Sequence, residues 1–156
     1  MTDRATPPPP GRKAETAASL TPSAANAVEI AAMAVPFAEQ NYGVTLDYGV
    51  ASLAQLDRII EDLRRDQRFE VLQPVLFSMG CYVGEVLVRH AGGRWRRAEE
   101  VGLGVAAISP IAIEMPDGRG CNPVGRVYRR FQKGREDSLA SFFQSVAGRP
   151  AEEPPT

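Results

Sequence analysis

Residues Phe69 to Ala91, FEVLQPVLFSMGCYVGEVLVRHA, decide the fold. On a helix that turns about 100° per residue, Leu72, Val75, Leu76, Met79, Tyr82, Val83, Val86 and Leu87 fall on one broad arc. That is the i, i+3, i+4, i+7 repetition of a core-facing helix. Gly80 and Gly84 lie one turn apart beside the arc, with Phe77 and Val88 just beyond. An interior glycine costs about 1 kcal/mol relative to alanine, so the pair implies compensation. The expected form is another element's backbone pressed against the bare side. Apolar or small side chains then cover most of the circumference, which makes this a buried central helix. Pro74 belongs in a first turn, so the helix is expected to begin between Phe69 and Gln73, and Gly92-Gly93 to end it.

The strip that the core does not demand carries Pro74, Ser78, Cys81, Glu85 and Arg89. Glu85 and Arg89 stand at i, i+4 with the acid on the N-terminal side, the favourable order. The expectation is an exposed or half-exposed ion pair of small energetic weight. The sharper alternative makes Glu85, with Ser78 and Tyr82 beside it, a ligand-binding or acid/base group in a cleft.

Around this helix the chain reads as one domain over residues 23–148, flanked by disordered tails at 1–22 and 149–156. The first tail contains PPPPG with scattered charges, a composition that favours polyproline II or disorder over a packed core. A net charge of −1 gives no global pull towards nucleic acid or an anionic membrane. Two cysteines, Cys81 and Cys121, and a single histidine, His90, make neither a disulfide framework nor a zinc pattern. No metal or cofactor is expected, and a reduced cytoplasm is the simplest home. The apolar run Ala24–Ala38 is too short to span a membrane.

Taken in order, Ser23 is placed to cap a first helix with a stripe of Val28, Ala31, Ala32 and Val35, which Pro36 kinks or restarts and Gly43 ends. Val44–Tyr48 alternates as a short strand would. Ser52 with Gln55 reads as a capping box opening a helix to about Arg65, with Leu53, Leu56, Ile59, Ile60 and Leu63 inward. Its short link to the central helix predicts an antiparallel hairpin. After Gly93 the period becomes two. Strands are expected at Arg94–Ala98, at Leu103–Ala107 and over Ile111, Ile113 and Met115, with Pro110 as a break and Pro116-Asp117-Gly118 as a turn. Cys121 falls in a turn. Asn122-Pro123 is an N-cap and N1 pair for a helix burying Val124, Val127, Tyr128 and Phe131. A last helix follows from about Asp137, with Leu139, Phe142, Phe143 and Val146 inward. The fold class is therefore α+β: a helical hairpin and two C-terminal helices packed on a small antiparallel sheet, since no crossover helix separates the strands.

Chemistry-bearing patterns are sparse. Cys81 and His90 sit nine residues apart, about 180° around a helix, so they cannot form a dyad on it. His90 suits a helix C-terminus through the dipole. Nucleotide loops and the nucleophile elbow are absent. Arg126, Arg129 and Arg130 are read as the solvent face of their helix, with an anionic partner surface as the alternative and no specific nucleic-acid claim.

Three pieces, Gly80-x-Tyr82-x-Gly84-Glu85, the GGRW turn and NPVGRVYRRFQKGREDSLASFF, together resemble a loose group of small bacterial α/β proteins described as domains of unknown function. The resemblance spans about Ala34 to Val146 and implies a bacterial origin and one compact domain, but no activity. The functional expectation is a non-catalytic protein-interaction domain of adaptor or immunity type, with a possible protein partner. The alternative is a small-ligand-binding domain or enzyme built on Tyr82, Glu85 and Arg89, and the candidate binding residues are these three with Ser78, Arg126 and Arg130.

Overall fold

The computed structural model describes residues 21–103 and 109–147. Residues 1–20 of the first expected tail, the whole of the second at 149–156, and all but Leu103 of the strand expected at Leu103–Ala107 lie outside the described residues.

Ala27–Ala32 (α1) and Ala34–Tyr42 (α2) meet at Met33, just ahead of Pro36. Of the expected stripe Val28, Ala31, Ala32 and Val35, Ala31 is buried, Val35 is half-buried, and Val28 and Ala32 are exposed. Ala27, Ile30, Ala31, Ala34 and Ala38 are buried while Val28 is exposed, because the small alanines let α1 approach the central helix closely. Ser23 also acts one step earlier than expected. Its Oγ accepts from the Asn26 amide at 3.3 Å while Asn26 Oδ1 accepts from the Ser23 amide at 2.8 Å. The pair closes the turn that precedes α1.

No strand forms over Val44–Tyr48. Tyr48 takes a left-handed φ of 67°, a conformation incompatible with extended pairing and uncommon for a bulky residue. Ser52–Asp66 (α3) buries Leu53, Leu56, Ile59, Ile60 and Leu63 as its spacing requires. The capping box does not form. Ser52 is already inside the helix, and its hydroxyl donates to the Gly49 carbonyl at 2.6 Å.

Phe69–Ala91 (α4) begins at the early limit of the expected range. Pro74 consequently falls in the second turn, and its missing N–H leaves the Glu70 carbonyl without its helical partner. Gly92, at φ 77°, closes the helix in the left-handed conformation. The link Gln67-Arg68 joins α3 and α4 at one end, and Ser52 meets Tyr82 near the other, so the two run antiparallel. Neighbours of α3 also include the C-terminal helices, while α4 packs along α1 and the first of those helices.

Among the described residues the sheet is a three-stranded antiparallel meander: Arg94–Arg97 (β1), Ile111–Glu114 (β2) and Gly120–Cys121 (β3), with β2 central. Cys121 thus lies in a short strand, not in the expected turn. Between β1 and β2, Ala98–Val101 forms a 3-10 turn. Gly118 at φ 89° serves the turn between β2 and β3, its amide donating to the Met115 carbonyl at 2.8 Å.

Asn122 Oδ1 accepts from the Gly125 amide at 3.0 Å and caps Pro123–Lys133 (α5). A second 3-10 turn, Arg135–Asp137, leads to Leu139–Ala147 (α6). One continuous core joins α1 through α6 to the inner face of β2. By length and composition α4 would suffice to cross a membrane, but 67% of its most apolar window is buried inside the protein.

Candidate functional site

The C-terminal half of α4 holds three of the sequence-derived candidates together. Gly84 and Glu85 meet β1 there. A Cβ on Gly84 would overlap the Trp95 ring, so the bare side of the helix accepts an indole. The backbone contact expected at both glycines occurs at Gly80 alone, where a Cβ would come within 2.5 Å of Val124 Cα. With its ring seated over Gly84, Trp95 directs Nε1 to Glu85 Oε2 at 2.9 Å.

Glu85 is therefore not the expected exposed ion pair. It is 4% exposed, because the tryptophan of β1 covers a face that helix periodicity alone left to solvent. Its other oxygen receives Arg89 Nε at 3.4 Å. The Arg89 guanidinium lies 3.8 Å from the centre of the Tyr48 ring, and that ring stacks on Tyr82 with centroids 4.6 Å apart.

Tyr82 is fully buried. Its oxygen accepts from the Tyr48 amide at 2.7 Å and lies 2.7 Å from Ser52 Oγ. Since the Ser52 proton goes to Gly49, the Tyr82 hydroxyl donates to Ser52. His90 Nε2 lies 3.0 Å from the Tyr48 carbonyl oxygen. Tyr48 is thus gripped at its amide, its carbonyl and its ring, which offsets the strain of its left-handed backbone. These contacts pin the loop before α3 to the end of α4.

Burial raises the Tyr48 and Tyr82 hydroxyls above the usual phenol range. Burial, and secondarily the Glu85 carboxylate, pushes the Cys81 thiol up to about 12, so it carries almost no thiolate near neutral pH. Among the described residues, no three of His, Cys, Asp or Glu converge to hold a metal ion.

Arg126 and Arg130 lie elsewhere, and the solvent face assigned to them does not exist at Arg130. It is 3% exposed, with Nε 2.9 Å from Asp57 and Nη1 2.8 Å from Glu61. The acids sit at i, i+4 on α3, and only the packing of α3 on α5 turns them towards this arginine. Asp57 also accepts from the Leu139 and Ala140 amides at 2.8 and 3.2 Å, capping α6 from a different helix. The hydrogen bond from Arg130 holds the Glu61 carboxyl below its ordinary range. Arg126 pairs with Asp137 at 3.1 Å and lies over the Phe142 ring. This network ties α3, α5 and α6 together.

Ser78 stands apart from Glu85. It is buried, donates to the Val75 carbonyl at 2.8 Å, and borders a groove of about 570 Å³. One wall comprises Ile30, Met33 and Phe37 from α1, α2 and their junction; the other comprises Pro74, Val75 and Phe77 from the N-terminal half of α4. Glu70, Gln73 and Tyr128 supply polar atoms. Val71, one turn ahead of Pro74 and Val75, is 59% exposed. Sequence reasoning missed this groove. The signals were Pro74 inside a helical pattern and Val71 lying outside the apolar arc.

Comparison of the chain with protein-family models, with curated proteins and with solved structures finds no match.

Proposed function

We propose that the protein is a non-catalytic protein-interaction domain of adaptor or immunity type. In this reading the groove beside the N-terminal half of α4 takes an apolar segment of its partner. The observation that carries it is the groove itself, with apolar walls from three elements; Val71, one turn before Pro74 and Val75 on the same helix, is also exposed. Grooves of this kind accept amphipathic segments through anchors on one face. Glu70 is the charged residue of the lining, so the matching segment carries a lysine or arginine beside its apolar anchors.

A small-molecule or catalytic site at Tyr82, Glu85 and Arg89 draws less support. The polar groups of that cluster are engaged by Trp95, Tyr48 and Ser52, and a buried carboxylate already holding two donors offers little to a substrate. The test is a selection of random peptides displayed on phage against the full chain, with Val75→Glu as counter-selection. Enriched peptides are expected to share apolar residues at helical spacing and a basic residue, and to lose binding to the variant. Enrichment indifferent to Val75→Glu would contradict the reading.

A further inference from the structure

The groove has a candidate occupant in the chain itself. Pro22 lines it beside Ile30 and Met33, so the sequence that precedes Pro22 is tethered at the groove's edge. The preceding residues are Arg12-Lys13-Ala14-Glu15-Thr16-Ala17-Ala18-Ser19-Leu20-Thr21. This stretch has the chemistry that the groove calls for: small apolar residues and a leucine, with Arg12 and Lys13 upstream to meet Glu70 and a single acid, Glu15, leaving a net positive charge. We propose that the segment Arg12–Leu20 seats in the groove and competes with the partner for it. The proposal rests on the groove being the interaction site, and it adds regulation to that site.

The reach is sufficient. From Glu70 to Ser78 the wall of α4 rises through eight residues (78 − 70), about 12 Å at about 1.5 Å per residue. Four extended residues, at about 3.3 Å each, cover that length. Pro22 also borders a smaller hollow of about 300 Å³ beside Arg97, Glu99 and Ser109. That hollow has about half the volume and is lined by both an arginine and a glutamate as well as two serines, so the basic start of the segment and Ala17, Ala18 and Leu20 match the larger groove better.

Tethering makes a weak contact effective. A short flexible connection gives an effective concentration on the order of mM. A segment whose intrinsic Kd is about 0.1 mM would therefore fill the groove roughly ten times as often as it leaves it empty. A partner in trans must overcome that occupancy, so its apparent affinity falls by about the same factor.

The experiment follows the binding of Nile red, a neutral apolar dye, to the full chain. Leu20→Asp should release the segment and raise dye binding at least threefold. A synthetic peptide of residues 12–21 should reverse the rise, and Val75→Glu should abolish it; melting curves report whether each variant is folded. Equal dye binding by wild type and Leu20→Asp, sensitive to Val75→Glu in both, would overturn the intramolecular contact while leaving the groove reading intact. Dye binding indifferent to Val75→Glu would count against the groove itself. Wild-type dye binding that declines as protein concentration rises would identify a second copy as the occupant and would also overturn the proposal.

Discussion

The two halves of α4 differ in how their surroundings treat them. Towards the C-terminus, Trp95 covers Gly84, the indole and Arg89 engage Glu85, and Tyr48 stacks on Tyr82. Towards the N-terminus, Val75 and Phe77 are only half-buried beside a groove, Val71 is exposed, and Pro74 removes a backbone bond. The closed half has satisfied polar groups and filled space, the signature of a structural cluster. The open half leaves apolar surface available for burial, and such surface marks interaction sites. A charged residue in the middle of an apolar helix is thus a buried structural group here, while a valine near the start of the same helix stands exposed.

The difference breaks most readily at Gly84. Gly84→Leu places a side chain where the Trp95 ring lies and should cost about 1–3 kcal/mol, the range for overpacking, towards its upper end. Thermal or urea unfolding measures it. Cys81 adds a local readout, since its buried thiol should resist alkylation at pH 8 in the wild type and react faster in the variant. An unchanged midpoint would show that this half is not closed.

Trp95→Phe keeps an aromatic ring over Gly84 but withdraws the indole N–H. Glu85 is then one donor short in a buried position, at a cost on the order of 1–2 kcal/mol, again read from the unfolding midpoint. A smaller loss, about 1 kcal/mol, is expected for Glu85→Gln. The amide oxygen can still accept from Trp95, while the long bond from Arg89 is lost with its ionic component, because the amide NH2 that then faces Arg89 cannot accept. Urea unfolding in low and high salt separates the two. The wild-type advantage should persist in salt because the carboxylate is buried, whereas a surface pair would be screened.

Smallest is Val71→Glu in the open half, which should change stability by no more than about 0.5 kcal/mol while weakening peptide binding. A large destabilisation would mean that Val71 already has a packing partner.

Much of the fold was legible because local pattern and packing agree. The stripe Leu53, Leu56, Ile59, Ile60 and Leu63, the Asn122-Pro123 cap and the Pro116-Asp117-Gly118 turn each depend on residues close in sequence. The site was less legible because its decisive contacts are remote. Glu85 and Arg130 both sit where helix periodicity points to water, and each is buried by an element that the periodicity cannot place: β1 for Glu85, α3 for Arg130. The unusual backbone of Tyr48 similarly depends on Tyr82, Arg89 and His90, far along the chain. The paired glycines did announce a close neighbour, but a bare helix face accepts an indole as readily as a backbone. For the groove, Pro74 and Val71 mark one wall locally, but no local pattern reports that this wall fails to meet the one from the distant α1 and α2.

The most direct measurement of the central claim is the affinity of one groove-selected peptide for two variants, by fluorescence anisotropy, with melting curves confirming that both are folded. The account predicts that Val75→Glu weakens binding at least tenfold while Glu85→Gln leaves it within about twofold of wild type, a difference of more than about 1 kcal/mol between the variants. The reverse pattern, with binding lost in Glu85→Gln and kept in Val75→Glu, would contradict it and return the functional site to the closed half of the helix.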